Sequence, residues 1–263
     1  PEVAKAIFEQ YMPRFAGDIL PQQEIGRALS LADKLDNLAA TFLRGLIPTG
    51  SQDPFALRRQ TIGAVNILTD GKIHWDIRRG IEAALALLPG DEETKKTVLS
   101  QIEDFFRQRI KAIMLDEGIA YDIIDAVLAG PVDDIYALFL KARSMAESQL
   151  KDEAELRQAV TRLANITKGK TGGKVDPSLF TEDVEKKLQD AFEAVSAKAL
   201  PLFASYEYGK ALPALKELTA PINDYLDNVM VMVDDEAVKN NRISQLLATL
   251  ALFNTWGDFS KLV

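Results

Sequence analysis

Apolar residues recur at intervals of three and four along most of this chain. Ile25, Ala28, Leu29, Ala32, Leu35, Leu38, Ala39, Phe42 and Leu43 keep that rhythm without a break, which predicts one long helix with an apolar stripe. Gly45 and the breaker Pro48-Thr49-Gly50 end it. Asp53-Pro54 then supplies an N-cap residue followed by proline at the first helical position, so a new helix is expected over about 53–68, closed by Gly71. Further helices are expected at about 76–87, 92–115, 120–128 and 133–148, with Pro89-Gly90, Gly118 and Gly130-Pro131 as punctuation. Asp152 and Glu155 have the spacing of a capping box, ahead of a helix carrying Leu156, Val160, Leu163 and Ala164. Thr181 is the expected cap of a helix reaching about residue 200, and the last helices are expected over 212–233 and 237–255. The final one carries a stripe of Ile243, Leu246, Leu247, Leu250, Ala251 and Asn254, preceded by the polar and basic group Lys239-Asn240-Asn241-Arg242.

Strand signals are few, since neither a sustained Val/Ile/Thr alternation nor an Asn-Gly hairpin turn occurs. No fixed-period repeat points to a solenoid. The fold class is therefore all-α, helical bundles joined by short turns, with the Gly- and Lys-rich stretch 168–176 as the longest loop. Gly130-Pro131 is the expected boundary between domains at 1–130 and 131–263.

Composition narrows the chemistry. The 263 residues are 47% hydrophobic, ample for a packed core, and include no cysteine, which excludes disulfides and thiolate zinc sites and fits a reducing cytoplasm. A single histidine, His74, excludes most catalytic triads and His-rich metal sites. No apolar run approaches the ~20 residues of a membrane span, and no signal peptide opens the chain. The chain enters helix-like sequence directly from Pro1, which reads as a piece of a longer protein. Net charge is −8, with 15 Lys+Arg against 19 Asp+Glu up to Gly130 and 16 against 20 after it, so any polyanion site must be a local patch.

Four stretches could carry chemistry. Asp33 and Asp36 lie three apart on one helix face, either half of a hard-cation site or a solvated edge of the stripe. Arg58 and Arg59 follow the Asp-Pro start, where the helix dipole disfavours them; either they pair with carboxylates such as Asp33 and Asp36, or they reach phosphate. The stretch ANITKGKT, 164–171, nearly matches a phosphate-binding loop, but a helix precedes it where that motif needs a strand, so nucleotide binding there is rejected. From Arg157 to Lys174 the chain carries Arg157, Arg162, Lys168, Lys170 and Lys174 with no acid among them. Arg162 and Asn165 share a helix face and could meet a phosphate or a base edge; the alternative is a solvated helix end favoured by the dipole.

Several groups together resemble one family. VAKAIFEQYMPRFAGDILP, GRALSLADKLDNL, PTGSQDPFALRRQTIGAVNIL, RLANI, DNVMVM, NNRISQLL and DFSKL look, in order and across the whole chain, like the C-terminal part of the β subunits of bacterial glycyl-tRNA synthetases. The resemblance implies a cytoplasmic tetramer of two α and two β subunits, in which the α subunit uses ATP and magnesium to aminoacylate and the β subunit binds tRNA. Residues 1–130 would be the end of a region similar to HD-type phosphohydrolases plus connecting helices, with ADKLD as its late aspartate-bearing helix. Residues 131–263 would be a DALR-type anticodon-binding domain similar to that of arginyl-tRNA synthetases. On that reading Arg143, Arg157, Arg162, Lys168, Lys170 and Lys174 offer phosphate contacts, Asn165, Asn241 and Arg242 read bases, and 256–262 lie near the anticodon. Gln10 stands where the family has a histidine before Tyr11, and the earlier histidine-bearing helices are absent, so no catalytic residue, metal ligand or cofactor is expected in this chain. The expected function is a non-catalytic portion of glycine–tRNA ligase that binds tRNA(Gly). Two rivals remain: a metal-dependent phosphohydrolase using Asp33 and Asp36, and a helical scaffold that docks the α subunit through the first half of the chain.

Overall fold

A computed structural model describes residues 2–50 and 52–262. They form α-helices and short 3-10 turns with no β-strand among the described residues; an isolated bridge pairs Asp76 with Asp134. The chain divides into two compact units, Pro1–Gly118 with Pro131–Phe139, and Ile119–Gly130 with Leu140–Val263.

In the first unit, α1 (Glu2–Glu9), α2 (Glu24–Leu43), α3 (Leu57–Asp70), α4 (Ile77–Ala86) and α5 (Glu92–Asp116) are arranged around α2, which packs on each of the others. Leu35, Leu38, Ala39 and Phe42 of the predicted stripe are buried, each large side chain contributing roughly 1.5–3 kcal/mol. Phe42 meets Phe105 of α5 edge-on at 5.2 Å. Ile25, Ala28 and Ala32, at the other end of the stripe, are exposed. Helix α3 starts at Leu57 rather than near 53, because Ala56 adopts a left-handed φ of 54° and interrupts the run. Asp53 still caps it, accepting from the backbone N–H groups of Leu57 at 2.8 Å and Arg58 at 3.0 Å.

The second unit is built mainly from α6 (Tyr121–Val127), the later part of α7 (Ile135–Glu147), α8 (Ala154–Thr167), α9 (Asp183–Ala204), α10 (Leu212–Lys216), α11 (Thr219–Asn228) and α12 (Glu236–Asn254). Helices α8 and α9 each pack on both α11 and α12. The expected capping box at Asp152 does not form: Asp152 closes a 3-10 turn, Gln149–Asp152, and the cap position passes to Glu153, whose carboxylate accepts instead from Lys216 at 2.6 Å. Thr181 likewise yields to Glu182 as the cap of α9. The single helix expected over 212–233 is interrupted between Lys216 and Thr219, where the Glu217 carbonyl loses its helical donor because Pro221, inside α11, has no N–H, and α11 ends at Asn228. Trp256 closes the core, its indole N–H donating to the Lys141 carbonyl at 3.2 Å and the Ser144 hydroxyl at 3.1 Å. Phe259, in the C-terminal turn, stands edge-on to it at 5.7 Å.

Candidate nucleic-acid interface

Helix α8 and the loop that follows it carry the basic stretch. Arg157 is half-buried and spans two backbone carbonyls, Leu262 at 3.3 Å and Lys151 at 3.0 Å, so it fastens the end of the chain. Arg162 donates to Asn223 at 2.9 Å and pairs with Asp227 on α11 while staying partly open to solvent. Asn165, Lys168 and Lys174 are exposed, as is Arg143 on α7. Lys170 lies against the segment leading into α12, its ammonium 3.3 Å from the Met232 sulfur. That segment holds two methionines open to solvent, Met230 at 71% and Met232 at 45% exposure. Sequence reasoning overlooked them. Their signal was present: an unbroken run of apolar residues, Val229 to Val233, which the helix expected over 212–233 absorbed.

The lysine loop does not hang free. Asn241 on α12 exchanges two hydrogen bonds with the backbone of Asp176, accepting from its N–H at 2.7 Å and donating to its carbonyl at 2.9 Å. The backbone N–H of Gly173 donates to the Ser244 hydroxyl at 2.8 Å. Gly172 lies close against α12: a Cβ there would lie 2.9 Å from the Leu247 methyl, which would have to move aside.

Arg242 does the same for the methionine segment. Its guanidinium donates to the Met230 carbonyl at 2.8 Å and to the carboxylates of Glu185 at 3.0 Å and Glu182 at 3.0 Å, with Thr181 accepting at 2.8 Å. Burial alone would push the Glu185 carboxyl up, yet the bonds from Arg242 and from the N–H groups of Thr181 and Glu182 hold it below its ordinary value. The Arg242 guanidinium is correspondingly raised by its bonds to Glu185.

One expectation is therefore corrected. Asn241 and Arg242, expected to read bases, are only 4% and 3% exposed and spend their donors inside the fold; they hold in place the segments that face solvent. Within 256–262, the stretch expected near the anticodon, the side chains of Trp256, Phe259 and Leu262 are buried in the second unit while Lys261 is exposed.

In the first unit, Asp33 accepts from the Gln10 amide at 3.0 Å, and Asp36 is exposed. Among the described residues no group of three or more His, Cys, Asp or Glu could hold a metal ion. Arg58 and Arg59 pair with neither aspartate. Loop carbonyls lie closer, so Arg58 donates to Gly50 at 2.7 Å and Gln52 at 3.3 Å, and Arg59 to Arg14 at 3.2 Å. No helix among the described residues is long and apolar enough to cross a membrane.

Comparison with known proteins places these features. A family profile described as glycyl-tRNA synthetase beta subunit matches residues 1–129, and one described as DALR anticodon binding domain matches 156–257. A glycine–tRNA ligase beta subunit of Clostridioides difficile is 42% identical over 262 residues, 99% of this chain. The chain belongs to the glycyl-tRNA synthetase β-subunit family. Similar β subunits from Desulforamulus reducens and Shouchella clausii are 39% and 38% identical over the whole chain. The chain spans 38–39% of the length of these relatives. In this β-subunit chain the DALR profile runs from α8 through α12, and so takes in the lysine loop, Met230 and Met232, and the Asn241-Arg242 clasp.

Proposed function

We propose that this portion of a glycyl-tRNA synthetase β subunit holds the anticodon arm of tRNA(Gly) on residues 131–263, in the cytoplasm, while the α subunit attaches glycine using ATP and magnesium. The full assembly on this reading is the tetramer of two α and two β subunits. One observation carries the proposal: a lysine loop is strapped to α12 beside two exposed methionines, inside a protein of net charge −8. Lys168, Lys170 and Lys174 neutralise phosphates, with Arg143, Arg162 and Asn165 on the neighbouring helices within the same unit. Methionine offers a polarisable, adaptable apolar surface on which an unpaired base can rest. Because both segments are fastened from beneath, little ordering entropy is lost when RNA arrives.

The test is a titration of a tRNA(Gly) anticodon stem–loop at several salt concentrations. Each phosphate contact to a single strand adds roughly −0.7 to the log–log salt slope, so replacing Lys168, Lys170 and Lys174 together by alanine should weaken binding and flatten the slope by about 2. Equal slopes in the two proteins would remove the loop from the interface.

A second reading concerns the first unit, where Val3, Ile7, Phe8, Tyr11, Phe15 and Ile19 are large apolar side chains left exposed. Such a surface suits docking of the α subunit. Copurification with α that survives replacement of Ile7 and Phe8 by serine would count against it.

A further inference from the structure

We propose that a cleft in the first unit binds a phosphate-bearing anion between the guanidinium groups of Arg58 and Arg109. The cleft has a volume of about 370 Å³, and its walls include Phe42 of α2, Pro48 and Gly50 of the loop after it, Arg58 of α3, and Asp104 and Arg109 of α5. That size admits a phosphate with an attached sugar but not an RNA helix.

Both arginines are set in advance. Arg58 is tied at its guanidinium to the Gly50 and Gln52 carbonyls, and at its backbone N–H to Asp53. Arg109 lies over the Phe105 ring, 4.3 Å from its centroid, and that ring is itself fixed edge-on against Phe42. The Arg109 guanidinium donates to Gln108 at 3.1 Å, whereas its Nε is buried with no hydrogen-bond partner.

The charges point the same way. Arg109 is held below its ordinary pKa first by burial and then by the charge of Arg58, with Asp53 acting in opposition. Asp53 is committed to the N–H groups at the start of α3. Asp104, the acid on the cleft wall, is 71% exposed and faces Arg107 at 3.8 Å. Two like charges kept at one small cleft are relieved by an anion, and the planar fork of arginine matches phosphate oxygens in pairs. Neither arginine belongs to the lysine loop, so this site stands or falls independently of the tRNA reading.

The experiment follows the thermal transition of the full chain in inorganic phosphate against sodium chloride of matched ionic strength, for wild type, Arg109→Gln and Arg109→Lys. Phosphate should raise the wild-type transition by about 3–5 °C. Arg109→Gln should lose that rise while melting in chloride at the wild-type temperature or above, because the repulsion with Arg58 is gone; Arg109→Lys should keep part of the rise. An undiminished rise in Arg109→Gln, or no rise in wild type, overturns the proposal. So does a lower transition for Arg109→Gln in chloride and phosphate alike, which would mark the arginine as structural. A short single-stranded RNA with a 5′-hydroxyl end separates the two sources of phosphate. If it competes with inorganic phosphate the ligand is an RNA backbone; if it does not, the ligand is a free phosphate or a phosphomonoester.

Discussion

Arg242 and Glu185, 57 positions apart in sequence, meet through two hydrogen bonds of 3.0 and 3.2 Å, and their side chains are 3% and 0% exposed. An ion pair so buried holds position more than it adds stability, because desolvation offsets much of its attraction. Losing one partner is another matter. Arg242→Met leaves the Glu185 carboxylate buried and releases the Met230 carbonyl, and should lower the unfolding free energy by about 3–5 kcal/mol in urea titrations. Arg242→Met with Glu185→Leu should regain part of that loss. The Glu185 carboxyl is depressed in the fold, so its contribution is present above the unfolded glutamate value, about 4.3, and fades as pH falls through the folded value. In Arg242→Met burial pushes the unpaired Glu185 carboxyl up instead, so the gap between the two proteins should begin to narrow above the unfolded value as pH falls and go on narrowing through the depressed wild-type value. A loss under about 1 kcal/mol at neutral pH would show that the pair does not hold these helices together.

The lysine loop approaches α12 closely at one glycine. A Cβ on Gly172 would meet the Leu247 methyl at 2.9 Å and the Ser244 Cα at 3.3 Å, so Gly172→Val must turn the half-buried Leu247 side chain aside and crowd the Ser244 backbone, and should loosen the loop on α12. The bond from the Gly173 N–H to Ser244 should break, and exchange of that amide should speed up about tenfold or more. Global stability should change by less than about 1 kcal/mol, since the loop is solvated. Affinity for the anticodon stem–loop should fall roughly three- to tenfold as the ordering of loop side chains becomes part of binding. Unchanged amide exchange would mean that the loop keeps its place without this contact.

Lys34 supplies a pH signature in the first unit. It lies buried on α2 and donates to the Met12 carbonyl at 2.9 Å and the Ser30 hydroxyl at 2.7 Å, without a hydrogen-bonded carboxylate. Burial pushes its ammonium down to about 8, against an opposing pull from Asp33. The unfolded chain then holds this proton more tightly, so stability rises with pH between about 8 and 10.4, by on the order of 3 kcal/mol. Lys34→Met removes the titration and leaves Ser30 to satisfy Met12 at 2.7 Å. Parallel pH curves for the two proteins would rule the effect out.

These cases show what periodicity reveals and what it leaves hidden. The apolar rhythm located α2 and α12 to within a residue or two, because backbone hydrogen bonding and an apolar stripe are local properties. It did not determine which face is covered. Ala251 and Asn254 of the expected α12 stripe are exposed, while Gln245 and Thr249 are buried; the Gln245 amide donates to the Glu185 carbonyl at 2.7 Å and Thr249 donates to Gln245. A polar residue is buried when its partner is in place, and that partner sits 60 positions away. The same distance effect misled the reading of Asn241 and Arg242, whose polarity suggested RNA but whose acceptors are Asp176, Glu185 and Met230. Arg162, Lys168 and Lys174 remained open to solvent because nothing in the fold consumes all their donors.

The C-terminal aromatic cluster offers the sharpest separation of folding from the proposed RNA binding. Trp256 is 0% exposed, and its N–H serves both Lys141 and Ser144 of α7. Trp256→Phe preserves an aromatic ring against Phe259 but withdraws that donor, and should cost about 1–3 kcal/mol in chemical denaturation. Trp256→Ala also opens a cavity and should cost about 3–5 kcal/mol. Under conditions where Trp256→Phe is fully folded, its affinity for the anticodon stem–loop should equal that of the wild type, since the indole touches no solvent. If binding fell while the denaturation midpoint stayed unchanged, the end of the chain would have to leave the core when RNA binds, and Trp256 would belong to the interface.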